Sequence, residues 1–208
     1  MPIQKPKITY TEKGILKSTS ETTIRNVEFD TKQDFPFDIE EVTFEECIFD
    51  NISFENVNFK HVDLVDVVFK NCDLSNLRFD ERLLKRVEFQ NCKLLGTSFI
   101  EASLKDVSFK DTHSKYLNFA EAHLKEVIFE STELIEANFQ DTEVKNLQLD
   151  KVELLKSEFI RTKLKDTDLS TSNIEGVTFD FESLRGVTID VLQCPSLVSM
   201  LGVSIKDE

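Results

Sequence analysis

A large apolar residue occupies every fifth position of the chain from Ile24 to Ile189, without an insertion or a slip. Positions whose numbers end in 4 or 9 carry Phe, Leu, Ile or Val, and only Asp34 and Ser114 break the pattern among 34 slots. Of the 18 Phe in the chain, 15 fall in this one register. A period of five matches neither the 3.6 of a helix nor the 2.0 of a plain strand. It requires a backbone in which each fifth residue points inward, which is a solenoid with four short sides per turn. Such a fold offers a surface rather than a pocket.

A second inward position confirms the register. Two residues before each large one lies a small or β-branched residue, as at Val42, Cys47, Val57, Val67, Cys72, Val87, Cys92, Ala102, Val107, Ala122 and Val152. The three positions between are mostly Asp, Glu, Lys, Ser, Thr and Asn. Two residues after the large one, Asn recurs at 26, 51, 56, 71, 76, 91 and 146, and Gly at 96, 176 and 186. Asn and Gly tolerate left-handed backbone, so the corners of the solenoid are placed there.

Units such as Cys72-Asp73-Leu74-Ser75-Asn76 and Ala137-Asn138-Phe139-Gln140-Asp141 resemble the pentapeptide-repeat consensus of a small residue, Asp or Asn, Leu or Phe, and two variable positions. The resemblance covers roughly residues 22–190 and implies an all-β fold, a right-handed quadrilateral β-helix with four pentapeptides per coil. Folded on a period of twenty, the chain stacks Ile39, Phe59, Phe79, Phe99, Phe119, Phe139, Phe159 and Phe179 on one side. The opposite side stacks Phe29, Phe49, Phe69, Phe89, Phe109 and Phe129, then Leu149 and Leu169. About eight coils at the strand spacing of about 4.8 Å make a rod on the order of 40 Å long. The core is expected to close without a ligand cavity, and the two ends need caps.

Three segments follow from the register. Residues 1–21 are locally basic (Lys5, Lys7, Lys13 and Lys17 against Glu12) and off register, so they form either a capping strand or a loose arm. Residues 22–190 are the β-helix. Residues 191–208 are a C-terminal cap, in which Pro195 to Gly202 reads as a short apolar helix and Val203 and Ile205 as a strand after it. The apolar residues Leu197, Val198, Met200, Leu201, Val203 and Ile205 need cover. A homodimer through this segment supplies it; a cap folded back on the last coil is the alternative.

No N-terminal hydrophobic stretch reads as a signal peptide and no apolar run reads as a membrane span. Cys47, Cys72 and Cys92 occupy the small inward slot, so they read as buried small side chains in a reducing, cytoplasmic setting. Cys72 and Cys92 lie one coil apart on one side, close enough for a disulfide to be conceivable.

The net charge of −14 is uneven. Residues 21–66 hold 13 acidic against 3 basic side chains, residues 67–130 hold 10 of each, and residues 131–190 hold 13 against 7. Glu28, Asp30, Asp38, Glu40, Glu45, Glu46, Asp50, Glu55 and Asp63 fall on outward slots of the first coils. Acidity of a solenoid surface can serve solubility alone. Its concentration at one end instead suggests rows of carboxylates that repel nucleic acid and attract proteins that bind it, a mimic of DNA.

No catalytic constellation emerges. His61, His113 and His123 sit on outward slots, with His113 and His123 on opposite sides, and no Cys/His ligand spacing occurs. A convex rod has no cleft in which to tune a carboxylate pair. No cofactor or metal is expected, and the chain reads as a non-enzyme. Outward apolar residues share two sides, Leu95, Ile135 and Leu155 on one, Ile100 and Ile160 on another, and form a candidate second interface.

The C-terminal run Leu184-Arg185-Gly186-Val187-Thr188-Ile189, followed by Leu197-Val198-Ser199-Met200-Leu201-Gly202-Val203, resembles the ending of the quinolone-resistance pentapeptide-repeat proteins, the Qnr group. That resemblance implies a two-fold tail-to-tail dimer, an acidic rod that engages DNA gyrase or topoisomerase IV, and protection of that enzyme from quinolones. The uninterrupted register is similar to that of the loop-less members. The alternative is a non-enzymatic scaffold or immunity-type module for another protein.

Overall fold

In the computed structural model, residues 3–15, 22–30, 38–200 and 202–206 are described. The break at Asp34 and the nominated dimer residue Leu201 lie outside them. The strands are β1 (Glu12–Lys13), β2 (Thr23–Arg25), β3 (Val27–Phe29), β4 (Asp38–Glu40), β5 (Thr43–Asp50), β6 (Asn58–Lys60), β7 (Asp63–Lys70), β8 (Leu83–Gln90), β9 (Ser103–Lys110), β10 (His123–Glu130), β11 (Glu143–Asp150), β12 (Glu158–Phe159) and β13 (Thr178–Phe179). From β5 through β11 every neighbouring pair is parallel and in register at twenty residues, for example Phe49 with Phe69 and Phe89 with Phe109. One sheet in the order β1-β3-β5-β7-β8-β9-β10-β11, with β2 also on β5, thus forms the broad side of a solenoid of about eight turns. On the other sides the coils are joined at the same spacing by the short pairs β4–β6 and β12–β13 and by single bridges, such as Asp73 with Lys93 and Ser98 with Asn118.

The corners fall where the sequence places them. Asn26, Asn51, Asn56, Asn71, Asn76, Asn91 and Asn146 all have positive φ, as do Gly96, Gly176 and Gly186. Away from the broad sheet most corners close a tight turn, as in Val57 N–H to Phe54 O at 3.0 Å, and a type II turn requires positive φ at its third residue. Many corners carry other side chains, including Glu46, Asp66, Arg86 and Asp106. Left-handed backbone is costly for these residues, and ladders between coils offset part of that cost. Asn91 Nδ2 donates to Asn71 Oδ1 at 2.8 Å, and Asn146 Nδ2 to Glu126 Oε1 at 2.7 Å.

The interior follows the two ladders. Phe69, Phe89, Phe109 and Phe129 stack with centroids 4.6 to 5.2 Å apart, and Phe79 through Phe159 stack on the facing side at 4.5 to 5.3 Å. Across the core they meet edge to face, as Phe99 meets Phe109 at 6.0 Å and 83°. Rings of the middle coils, such as Phe99, Phe109, Phe119 and Phe129, therefore have both favoured aromatic geometries at once. The expected core residues Phe59, Phe79, Phe99, Phe119, Phe139 and Phe159 are all buried.

The small slot does more than fit. Its hydroxyls donate to the carbonyl of the large residue 23 positions earlier, as Thr97 Oγ1 to Leu74 O at 2.9 Å and Thr142 Oγ1 to Phe119 O at 2.7 Å. Cys47, Cys72 and Cys92 place their thiols in the same position. Ser114, the break in the large register, is fully buried and donates to Thr112 Oγ1 at 2.8 Å, which donates to Thr132 Oγ1 at 3.2 Å.

Both ends differ from the sequence reading. After a short turn of 3₁₀ helix at Val191–Gln193, a helix α1 (Cys194–Ser199) spans 6 residues, with Leu197 packed against the core. Gln193 Nε2 caps the last coil by donating to Leu169 O and Ser172 O. The strand expected at Val203 and Ile205 is not formed. Residues 202–206 are exposed and have no strand beside them in the single chain, and a strand needs a partner to satisfy its ladder. At the other end, residues 3–15 are neither a simple cap nor loose. Only β1 caps, pairing Glu12 with Val27 and Lys13 with Glu28; the rest runs along the rod.

Candidate protein-binding surface

The nine nominated carboxylates divide between sides. Glu28, Asp30, Glu45, Glu46, Asp50 and Asp63 lie in or directly beside β3, β5 and β7, on the outer face of the broad sheet. Asp38 and Glu40 lie on β4, in a separate two-stranded sheet with β6, and Glu55 lies in a turn between the sides. They do not form one row.

Most are already engaged. Glu45 pairs with Arg25 at 2.6 Å, Asp30 with Lys13 at 3.1 Å, and Asp50 accepts from Asn71 Nδ2 at 3.1 Å. Asp63 accepts the Leu83 amide at 2.8 Å. Lys60 pairs with both Asp38, at 3.5 Å, and Glu40. The Asn58 amide, then Lys60, hold the Asp38 carboxyl below the usual carboxylate range despite some desolvation. Exposed pairs of this kind contribute little to stability, and the three cations Lys13, Arg25 and Lys60 leave the carboxylates here in large excess.

The N-terminal arm adds a feature that the register did not reveal. It crosses the strands of the broad sheet along the rod axis, over a single column of corner residues spaced by twenty. Gln4 N–H donates to Asp106 Oδ1 at 2.9 Å, Lys7 N–H to Asp66 Oδ1 at 2.8 Å, and Thr9 Oγ1 to Glu46 Oε2 at 3.2 Å. Glu12 N–H donates to Asn26 O at 2.8 Å. Arg86 stands between Asp66 and Asp106 in the column and grips Asp66 through both Nε and Nη2. Burial pushes the Asp66 carboxyl up, but the Arg86 guanidinium and the Lys7 amide outweigh it and leave the group below its ordinary value. Asp66, Arg86 and Asp106 were legible only as a column of alternating charge at twenty-residue spacing.

Leu95 and Tyr116 are exposed on a neighbouring corner, while Ile135, Leu155, Ile100 and Ile160 are half-buried. At the C-terminal end Phe181, Val191, Leu192, Met200, Val203 and Ile205 are exposed, and Val198 is half-buried. Phe181 lies off the register and was not anticipated.

His61 is exposed, and His113 and His123 each face a carboxylate one coil on, Glu133 at 3.3 Å and Glu143 at 2.9 Å. Among the described residues no group of three or more His, Cys, Asp or Glu is placed to hold a metal. Two hollows, of about 460 Å³ beside Asn71, Asn91 and His113 and about 540 Å³ beside Glu121, His123 and Asp141, are open surface grooves. No described helix is long and apolar enough to cross a membrane.

Family models described as pentapeptide repeats (8 copies) and pentapeptide repeat region match residues 38–76 and 82–159. No curated protein sequence matches the chain. Among solved structures it is similar to a trypsin-treated variant of QnrB1, a plasmid-mediated fluoroquinolone resistance protein, with 22% identity over 92% of this chain and 95% of that one and a TM-score of 0.39. It is also similar to HetL, a pentapeptide repeat protein involved in heterocyst differentiation regulation from the cyanobacterium Nostoc sp. strain PCC 7120, with 14% identity over 80% and 86% of the two chains and a TM-score of 0.48. The repeat models and the parallel solenoid agree: the chain belongs to the pentapeptide-repeat family.

Proposed function

We propose that this chain is a non-enzymatic binding protein whose acidic rod occupies the DNA-binding groove of a type II topoisomerase, DNA gyrase or topoisomerase IV, and protects it from quinolones. The observation that carries the reading is the concentration of acidic residues on the first coils, 13 against 3 basic over residues 21–66. Rigid coils hold those among the described residues at strand spacing, where they act on a groove built for phosphates and not on nucleic acid itself. The QnrB1 likeness is compatible with this reading but does not carry it. Two copies are joined through the exposed apolar residues of the C-terminal segment, where Val203–Lys206 finds in the second copy the strand neighbour it lacks alone. The protein works in the cytoplasm.

Gyrase supercoiling with a quinolone present, titrated with the protein at two salt concentrations, tests the reading. Restored supercoiling that weakens from about 50 to about 200 mM salt supports it, since electrostatic contacts are screened over that range. Neutralising Glu28, Glu45, Asp50 and Glu55 together should abolish the rescue. No effect on gyrase or topoisomerase IV at any concentration refutes it.

A second reading has its own support. Leu95 and Tyr116, both exposed, continue into Ile135 and Leu155, and stacked apolar groups suit a partner bound without electrostatics. A scaffold or immunity-type module of this kind would bind its partner with little dependence on salt.

A further inference from the structure

The N-terminal arm holds to the rod differently from every other described segment. None of residues 3–15 is fully buried and none belongs to the hydrophobic core. The core is complete without them, and only β1 closes an edge of the rod, against β3. Besides the Thr9 hydroxyl on Glu46 and the Lys13–Asp30 pair, what holds the arm is a series of its own backbone donors, on Gln4, Lys7, Thr9, Glu12 and Gly14, aimed at acceptors of the sheet. A segment that buries little apolar surface and depends on peripheral hydrogen bonds belongs to the low-stability end of local opening.

The match between arm and column is nevertheless specific. Asp106, Asp66 and Glu46 accept from the arm, whereas the level between Asp106 and Asp66 carries Arg86, a cation that accepts nothing. Between Gln4 and Lys7 the arm has Pro6, which has no N–H to offer. Asp66 and Asp106 project from the outer face of the rod, yet they are only 5% and 3% exposed, beneath an arm that carries Lys5 and Lys7. Removing the arm would return both carboxylates to water with the core intact. Beyond Asp106 the column continues to Glu126, half-exposed.

We propose that this column is a docking track for an extended, lysine-bearing segment of a protein partner, and that the arm is the resident ligand which such a segment displaces. The track reads backbone donors with carboxylates across the strands, not by adding a strand to an edge. The proposal does not rest on the topoisomerase reading and holds for any partner that offers a chain of this chemistry.

The test uses the full chain carrying Gln4→Pro, Lys7→Pro and Thr9→Pro, which removes three backbone donors and the Thr9 hydroxyl and leaves every core residue unchanged. A fluorescent peptide with the sequence of residues 1–15 is titrated into this variant and into the unmodified protein, followed by anisotropy. The peptide is expected to bind the variant at least about tenfold more tightly, because the tethered arm competes at high effective concentration in the unmodified chain. A peptide of the same composition in shuffled order should bind at least about tenfold more weakly, since its prolines no longer match the column. Equal binding to both proteins, or equal binding of the shuffled peptide, overturns the proposal. Hydrogen exchange on the unmodified protein gives a reading that does not depend on the variant folding. The amides of Gln4, Lys7 and Thr9 should exchange much faster than those of β8, and exchange as slow as β8 would make the arm part of the cooperative fold and refute displacement.

Discussion

The amide of Lys7 donates to Asp66 Oδ1 at 2.8 Å, joining two residues 59 apart in the chain. Arg86 holds the same carboxylate from the other side. Asp66 must be ionised to serve both partners, and with them its carboxyl sits below the usual range in the folded state. A depressed carboxyl stabilises above its unfolded value and loses that contribution as pH falls through the folded one. The arm should therefore stay docked from neutral pH down to about 4 and release below it. The Lys7 amide shift followed by NMR against pH checks this, and release already at pH near 6 would point to a different group.

Arg86 and Asp66 are both largely shielded, with side chains 11% and 7% exposed. Truncating Arg86 to Ala would leave the carboxylate covered and unpaired. Breaking a buried pair from one side costs about 3 kcal/mol or more. The expected outcome in denaturant unfolding is a loss of that order for Arg86→Ala, with much of it recovered when Asp66→Asn is added. A loss under about 0.5 kcal/mol would mean that water already solvates the pair.

Phe109 stacks on Phe89 at 4.8 Å and on Phe129 at 4.6 Å, and meets Phe99 and Phe119 edge on. Phe109→Ala should cost about 4 kcal/mol through lost burial and the cavity left behind. Phe109→Leu should cost less, about 1 to 2 kcal/mol, because Leu149 and Leu169 already fill the same column in later coils. Chemical denaturation of the two variants gives the order directly.

Of the four cysteines, Cys47, Cys72 and Cys92 are buried and Cys194 is exposed. Burial pushes the Cys47 thiol up to about 11, and thiolate is the reactive form. Titration with a thiol-reactive chromophore should label one thiol in the native protein and four after denaturation. Rapid labelling of two or more would show that coils near Cys72 and Cys92 open independently.

Ser114 read as a break in the large register, yet its hydroxyl is satisfied inside the coil because Thr112, in the neighbouring inward slot, accepts from it and donates in turn to Thr132. That partnership could have been read from the twenty-residue stacking of Thr112 and Thr132. The bonds from Asp66 to the arm could not, since residues 1–21 carry no register. The nine acidic residues face outward, but their division between sides, and the pairing of Glu45, Asp30, Asp38 and Glu40 with Arg25, Lys13 and Lys60, depend on which side chains meet one coil apart.

The sequence by itself determined the solenoid, its corners and its Phe ladders, because a strict five-residue period admits one kind of inward-facing stack and twenty-residue spacing aligns each coil on the next. Only the tertiary structure decided where the two ends lie. The arm is held chiefly by backbone donors, which are the same for every residue except proline, so composition could reveal its charge and not its path. The C-terminal strand is absent for the converse reason: its residues favour a strand, but a strand forms only where a neighbour offers a ladder, and the single chain offers none at Val203 and Ile205.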